Sequence, residues 1–328
     1  GASPYETPSM YHLMTHVDLN QGVFYPMGGI HTIIESLTRL AESHGVEIHT
    51  SSPVQQILVQ NKKAVGVKLA SGEIRADVVV ATADLQHVET KLLQEQHQSY
   101  PAKWWEKKVA GPSALLLYLG VKGKIDELDH HTLLYTADWK TNFAEVFHAP
   151  DGKRRVPNPA SLYICMPSKT DKNVAPAGHE NIFVLVPTAA DPSIGKGGIN
   201  GAGDARLESA ADLVIEQISN WCNIPDLAER VVVRRTVGPM DFVNEFNAWN
   251  GTALGMAHTL FQSAFFRPKN KSKKVHNLLY AGQNTLPGIG LPMCLIGAEL
   301  VYKHLTEDRS SGPLKGEVES VTSWKGLR

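Results

Sequence analysis

Residues 279–305 constrain this chain more than any other stretch. Leu278–Ala281 is a short apolar run with strand character. Gly282, Gly288 and Gly290 then break it into a loop, and Pro287 and Pro292 stiffen that loop. Pro292 lacks an N–H and suits the first turn of a helix. Met293, Ile296, Gly297, Leu300 and Val301 follow at helical spacing. The order is therefore strand, glycine-rich loop, helix N-terminus. Such a terminus has unpaired N–H groups and a positive dipole end, which favour an anion. Glycine lets backbone approach a ligand closely. Spacing alone leaves two readings open, a ligand loop or a buried strand–turn–helix without a ligand. The pattern is not the G-x-G-x-x-G dinucleotide fingerprint.

Gly282, Thr285, Pro287, Gly288, Gly290 and Pro292 spell G-x-x-T-x-P-G-x-G-x-P ahead of a helix. In this the stretch resembles the C-terminal flavin-contacting signature of bacterial-type phytoene desaturases, carotenoid desaturases of the flavin amine oxidase superfamily. The resemblance implies FAD as cofactor, held along Gly282, Gln283, Asn284, Gly288, Ile289, Gly290, Leu291, Pro292 and Met293. There are two departures: Leu286 stands where many relatives have His, and Met293 where many have Gly. Both bear on substrate preference more than on flavin binding.

The resemblance runs through nearly all 328 residues. In the relatives a long N-terminal segment comes first and carries the G-x-G-x-x-G turn that binds the FAD pyrophosphate. No such motif occurs here. Gly195–Gly203 is glycine-rich but follows Asp191-Pro192 instead of a strand, and Gly1-Ala-Ser-Pro-Tyr5 is neither an initiator methionine nor a targeting sequence. The expectation is a C-terminal portion of a longer enzyme.

Composition narrows the class. Apolar residues make up 42% and charged residues 20%, which suits a globular protein with a substantial core. A net charge of −1 weighs against nucleic acid as a partner. Cys165, Cys222 and Cys294 are scattered and odd in number, forming neither a disulfide framework nor a zinc site; a reducing, cytoplasmic setting is expected. No run approaches the ~20 apolar residues that span a bilayer, so membrane contact would be peripheral.

Taken in order, residues 5–19 place Met10, Leu13, Met14 and Val17 at helical spacing. Pro26, Gly28 and Gly29 then lead into a helix at 31–44, with Ile30, Ile33, Ile34, Leu37 and Leu40 on one face and Gly45 as its stop. A simple turn explains Gly28-Gly29. In the family, however, P-x-G-G passes close to the flavin, so the resemblance makes Pro26, Gly28 and Gly29 cofactor candidates. Residues 46–81 read as a β-meander with strands at 46–49, 54–60, 64–69, around 74 and at 77–81, turning at Asn61-Lys62 and Ser71-Gly72. Val54 is either an ordinary β-branched core residue or, by resemblance, a backbone contact to the FAD adenine. Thr82 sits at the end of the last strand as a cofactor candidate, and Asp84 reads as an N-cap.

Strands at 112–121, 161–166, 182–186 and 231–237, with a helix at 204–222, imply a mainly antiparallel sheet backed by helices. The expected fold is therefore α/β (mixed α+β). An incomplete Rossmann-like FAD-binding domain (22–90 and 276–306) joins a substrate domain (1–21 and 91–275), and 307–328 is a polar, disordered tail. His130-His131 invites a metal reading, but no Cys or carboxylate lies at ligand spacing beside the pair, and no metal is expected. Phe242, Phe246, Trp249, Phe261, Phe265 and Phe266 crowd residues 239–268. They are either core or a wall of a long apolar tunnel, with Gly251 and Gly255 giving room. The resemblance favours the tunnel and names Trp249, Phe261 and Phe265 as substrate contacts. The basic run Arg267–Lys274 reads as a solvated loop, or as a seat on an anionic bilayer.

No nucleophile–base pair or phosphate loop stands out, which fits chemistry carried by a cofactor. The expectation is hydride transfer from a long apolar isoprenoid such as phytoene to FAD, with reoxidation by a quinone or oxygen. No catalytic side chain can be named. Two alternatives remain: another flavin amine-oxidase-type enzyme, and a non-catalytic apolar-lipid-binding fragment. Flavin content separates the last from the others.

Overall fold

Alternation along residues 113–122 builds the larger core. In the computed structural model, which describes residues 1–314, Leu115, Leu117, Leu119 and Val121 are buried while Tyr118 and Lys122 face out. A period of two is what a strand with one covered face requires. The meander comes earlier, as β1 (Gln56–Gln60), β2 (Lys63–Leu69) and β3 (Gly72–Arg75), and β4 is Val79–Ala81. β5 (Ser113–Lys122), β6 (His131–Leu134), β7 (Leu162–Cys165), β8 (His179–Thr188) and β9 (Val231–Val237) form one antiparallel sheet in the order β6-β7-β8-β5-β9. β5 and β8 pair along their whole lengths, from Ser113 opposite Thr188 to Lys122 opposite His179. β10 (Leu278–Tyr280) pairs in parallel with β4, Leu278 opposite Val79.

The longer helices among the described residues are α1 (His31–Ser43), α2 (Trp139–Phe147), α3 (Ala205–Trp221), α4 (Pro239–Phe246) and α5 (Leu291–Thr306). α3 covers the five-stranded sheet with Leu207, Ala211, Val214, Ile215 and Ile218, a stripe at helical spacing. Each such leucine or isoleucine, fully buried, contributes about 1.5–3 kcal/mol. A second core gathers Ile57 and Ala64 of the meander, Val79, Leu278 and Tyr280 of the parallel pair, and Tyr100, Trp105, Trp249, Met256 and Val275. It therefore draws on residues well inside 91–275.

Several expectations are corrected. Residues 46–49 form no strand: a strand needs a ladder partner, and among the described residues none pairs there. The 77–81 strand shortens to β4 and leaves the meander for β10. α1 forms as expected, yet Ile30, Ile34, Leu37 and Leu40 are all exposed. Met10, Leu13, Met14 and Val17 likewise lie on the surface of a helical segment spanning 9–21. Gly251 and Gly255 do not open a tunnel. Both have positive φ (66° and 70°), and added Cβ atoms would meet Pro239 O at 2.5 Å and collide with the Asn284 side chain. Residues 307–314 fold back on α5, where Leu314 N donates to Glu299 Oε1 (2.9 Å); the rest of the expected tail lies outside the described residues.

Candidate functional site

The strand–loop–helix of residues 278–306 is built as its sequence implies, and the loop opens onto a cleft of about 550 Å³. β4 and β10 end side by side, so the segments that follow them, Thr82–Leu85 and Ala281–Thr285, form adjacent walls. Ile289, Gly290, Leu291 and Cys294 bring in the N-terminus of α5, and Phe242, Phe246 and Ala248 close the far side. Ligands of open parallel sheets commonly sit beyond the carboxyl ends of the strands, which is where this cleft lies. A larger cleft of about 780 Å³ between α3 and β9, lined by Asp212, Glu216, Ser219 and Arg234, shares no residue with the signature. Size alone would favour it, but it has neither the helix terminus nor the glycines.

The α5 terminus is left free for a ligand. No side chain caps it. Gly290 has φ 123°, and a Cβ there would meet only Met293 and Pro292 atoms, at 3.8 and 4.0 Å. Gly282 (φ 120°) lies beside Thr82, whose carbonyl oxygen is 3.4 Å from the Cβ position. At both positions it is the backbone conformation that requires glycine.

A hydrogen-bond chain locks the two walls together. Asn284 Nδ2 donates to Asp84 Oδ2 (3.0 Å), and Asn284 Oδ1 accepts from Met256 N (2.9 Å). Asp84 caps the short helix after it, accepting from Gln86 N (2.9 Å), as its sequence position suggests. Burial pushes the Asp84 carboxyl above the usual range, and its backbone donors pull the other way. Below the loop, Asn270 Nδ2 reaches Tyr280 O (3.1 Å) and Leu286 O (2.9 Å). Arg267 is buried and donates to Thr285 O (3.3 Å), Gln262 O (3.0 Å) and Gln283 O. Its burial lowers the guanidinium pKa. Arg267 thus leaves the solvated basic run to which its neighbours assign it. It shapes the loop through carbonyls, a role that a charge pattern does not reveal.

The named candidates divide into groups. Thr82, Gly282, Gln283, Asn284, Ile289, Gly290 and Leu291 line one cleft. Gly288, Pro292 and Met293 belong to the same loop and helix start without lining it. Pro26, Gly28 and Gly29 lie on a separate loop pinned to the five-stranded sheet side, where Gly28 N donates to Asp171 Oδ2 (2.6 Å) and Tyr25 OH reaches the same oxygen (3.3 Å). Those donors hold the Asp171 carboxyl below its ordinary pKa, Gly28 first. Val54 packs on the second core. Trp249 is buried in that core, 5.0 Å from Trp105 ring to ring. Phe261 and Phe265 are exposed beside Phe266 and lie away from the cleft. The aromatics on the cleft are Phe242 and Phe246, which project from α4 at i and i+4.

Comparison with known proteins agrees with this geometry. A carotenoid 3,4-desaturase of Haloarcula japonica is 40% identical over 309 residues, covering 94% of this chain and 60% of that protein. A zeta-carotene-forming phytoene desaturase of Myxococcus xanthus is 34% identical over 307 residues, 93% of this chain and 57% of that one. A phytoene desaturase of Phycomyces blakesleeanus is 32% identical, with 92% and 51% covered. The chain thus spans 51% to 60% of the length of these relatives. Among solved structures, an oxidoreductase from Methanosarcina mazei superposes with a TM-score of 0.58 at 17% identity over 90% of this chain and 58% of that one, which shows a shared fold. Residues 2–299 match the family described as flavin containing amine oxidoreductase, and the chain belongs to that family.

Proposed function

We propose that this chain carries the C-terminal flavin-contacting half-site of an FAD-dependent desaturase acting on a long apolar isoprenoid, of the phytoene type. One observation carries the reading. The signature loop, the end of β4 and the uncapped start of α5 converge on a single cleft with polar walls on one side and Phe242, Phe246 and Ala248 on the other. The relatives' printed activities supply the substrate class.

The residues fit a flavin. About 550 Å³ lies within the range of small-molecule sites, glycines clear the approach at Gly282 and Gly290, and the helix terminus suits a group that gains negative charge. FAD bound there supplies a hydride acceptor for a saturated carbon next to a double bond. The chain's own part is to hold and exclude. Asn284 and Asp84 fix the two walls relative to each other. Arg267 and Asn270 hold the loop from behind. The apolar side keeps water from the reacting face. Pro26, Gly28, Gly29 and Val54 would meet the cofactor beyond the cleft, with residues 22–90 and 276–306 forming the cofactor side and 1–21 and 91–275 the substrate side. A quinone or oxygen would accept the electrons.

Access of an apolar substrate from a bilayer fits the surface. No helix among the described residues is long and apolar enough to cross a membrane. Leu260, Phe261, Phe265 and Phe266 are exposed together, next to the exposed Lys269, Lys273 and Lys274. That combination seats on an anionic membrane surface, with each Lys contributing about 1 kcal/mol.

The test is the visible spectrum of the purified chain with and without added FAD, followed by turnover of phytoene by a version extended to the relatives' length. A bound-flavin spectrum that Gly290→Val abolishes supports the half-site. A colourless chain indifferent to FAD, together with an extended version that leaves phytoene unchanged, defeats the reading.

A further inference from the structure

His131 opens β6 and His130 precedes it, and no cysteine stands beside the pair in sequence. The sheet supplies one. In the β6–β7 ladder His131 stands directly opposite Cys165, and the ligand atoms of His130, His131 and Cys165 all lie within 4.8 Å of one another. The reason for expecting no metal, that no Cys or carboxylate lies at ligand spacing beside the pair, does not hold in the fold, which brings Cys165 there. We infer that His130, His131 and Cys165 form a binding site for a thiolate-seeking transition-metal ion, zinc(II) being the best match, at the edge of the five-stranded sheet.

The imidazoles are already arranged as ligands. His130 Nδ1 is 2.7 Å from Thr170 Oγ1, and its Nε2 is buried with no hydrogen-bond partner among the described residues. A buried ring nitrogen of this kind calls for an occupant. His131 Nδ1 is 2.7 Å from the Tyr163 hydroxyl, which leaves the other ring nitrogen for a metal. Metal-bound histidines ordinarily hold a partner on the second nitrogen in this way, and the partner fixes tautomer and ring orientation. Both backbones are anchored, His130 O accepting from Met166 N (2.9 Å) and His131 lying within the ladder. Zn–N bonds of about 2.0–2.1 Å and Zn–S of about 2.3 Å place tetrahedral donors about 3.5 Å apart. Binding would draw the three donors together from within 4.8 Å of one another. Two imidazoles and one thiolate select zinc or copper over magnesium or calcium, and three protein ligands leave a fourth position for water.

Placement gives the site a role distinct from the flavin reading. Tyr25 packs edge-on against His130 with centroids 4.7 Å apart, and its hydroxyl reaches Asp171, which also holds Gly28 N. A metal ion there clips the sheet edge and stiffens the face on which the Tyr25–Gly29 loop rests.

The experiment uses the untagged, reduced and chelator-treated chain titrated with cobalt(II), a spectroscopic stand-in for zinc. The expected result is one equivalent bound with intense tetrahedral visible bands and a thiolate charge-transfer band, displaced by zinc. Cys165→Ser removes the charge-transfer band, His130→Ala weakens cobalt binding more than tenfold, and Thr170→Val weakens it about tenfold through the lost partner. The chain holds 14 histidines, so adventitious surface binding is the competing outcome. It would give weak octahedral bands, no charge-transfer band, and the same affinity in wild type and Cys165→Ser. Octahedral bands without charge transfer, read on the wild-type chain alone, overturn the inference whether or not a variant folds.

Discussion

Replacing Asn284 by leucine tests whether the cleft walls are joined as described. Leucine keeps the volume and removes both hydrogen bonds. The donor lost from Asp84 served a buried carboxylate, and charge-assisted bonds of that kind contribute about 1.5–3 kcal/mol. Met256 N is left buried without its acceptor, at a further cost of about 1–3 kcal/mol. The expected total is about 2.5–6 kcal/mol, a large part of a stability that typically lies at about 5–15 kcal/mol. Asp84 keeps its bond from Gln86 N, so the helix cap survives and the loss is specific to the junction. Urea unfolding followed by tryptophan fluorescence reads it, since Trp105 and Trp249 stand in the adjoining core. A double-mutant cycle with Asp84→Asn isolates the pair, with an expected coupling of at least ~1 kcal/mol. A loss under 1 kcal/mol, or a coupling near zero, would refute the claim that this bond ties the two walls.

Four further outcomes follow from the same geometry. Gly255→Ala loses about 1–2 kcal/mol from its positive φ and more from collision with Asn284 Oδ1, so its melting temperature falls while Gly72→Ala, at a site with open space, falls less. Arg267→Met removes donors from three carbonyls, two of them in the loop, and is expected to weaken FAD binding at least tenfold, measured by flavin fluorescence, with Arg267→Lys recovering only part. Glu89 is buried and accepts from Tyr280 OH and Tyr100 N, and burial raises its pKa. The native state therefore holds the proton more tightly than the unfolded chain, and this contribution to stability falls as pH rises from about 4.5 through the raised value. Subtracting the Glu89→Gln melting curve from that of the wild type isolates this slope, and a difference that rises with pH would contradict it. Finally, Phe261→Ser with Phe265→Ser is expected to lower sedimentation with anionic liposomes severalfold and leave the FAD spectrum unchanged.

What was legible in the sequence is what local rules control. The 282–292 loop announced itself because glycine and proline act on their own backbone, so their spacing alone implies a tight turn into a helix start. Asp84 was readable as a cap for the same reason. The apolar run at 112–121 was readable as a strand, and the structure shows which of its faces is buried under α3. The rest depended on partners distant in the chain. Residues 46–49 have strand composition, but pairing requires a neighbour. The apolar face of α1 was correctly read as a face, while whether it is covered depends on what packs there. Arg267 sat in a run of lysines, and only the fold turns it inward to three carbonyls. Trp249 looked like a tunnel wall, because an aromatic cluster reads the same whether it lines a cavity or fills a core.

The histidine pair shows the limit most sharply. Metal spacing rules count residues along one chain segment, and by that count His130-His131 stands alone. An antiparallel ladder brings Cys165 opposite His131 across 34 positions of sequence, so that the relevant spacing is the register of β6 on β7. The unpartnered Nε2 of His130 then becomes an anomaly that the sheet itself creates. The cleft at the ends of β4 and β10 arises by the same logic. β4 and β10 are almost 200 residues apart, and neither terminal loop is a site by itself. Their parallel pairing sets Thr82 beside Gly282 and Asp84 beside Asn284. Both juxtapositions are products of strand register, and a mutation that shifts either register should abolish the binding proposed there while leaving every named side chain in place.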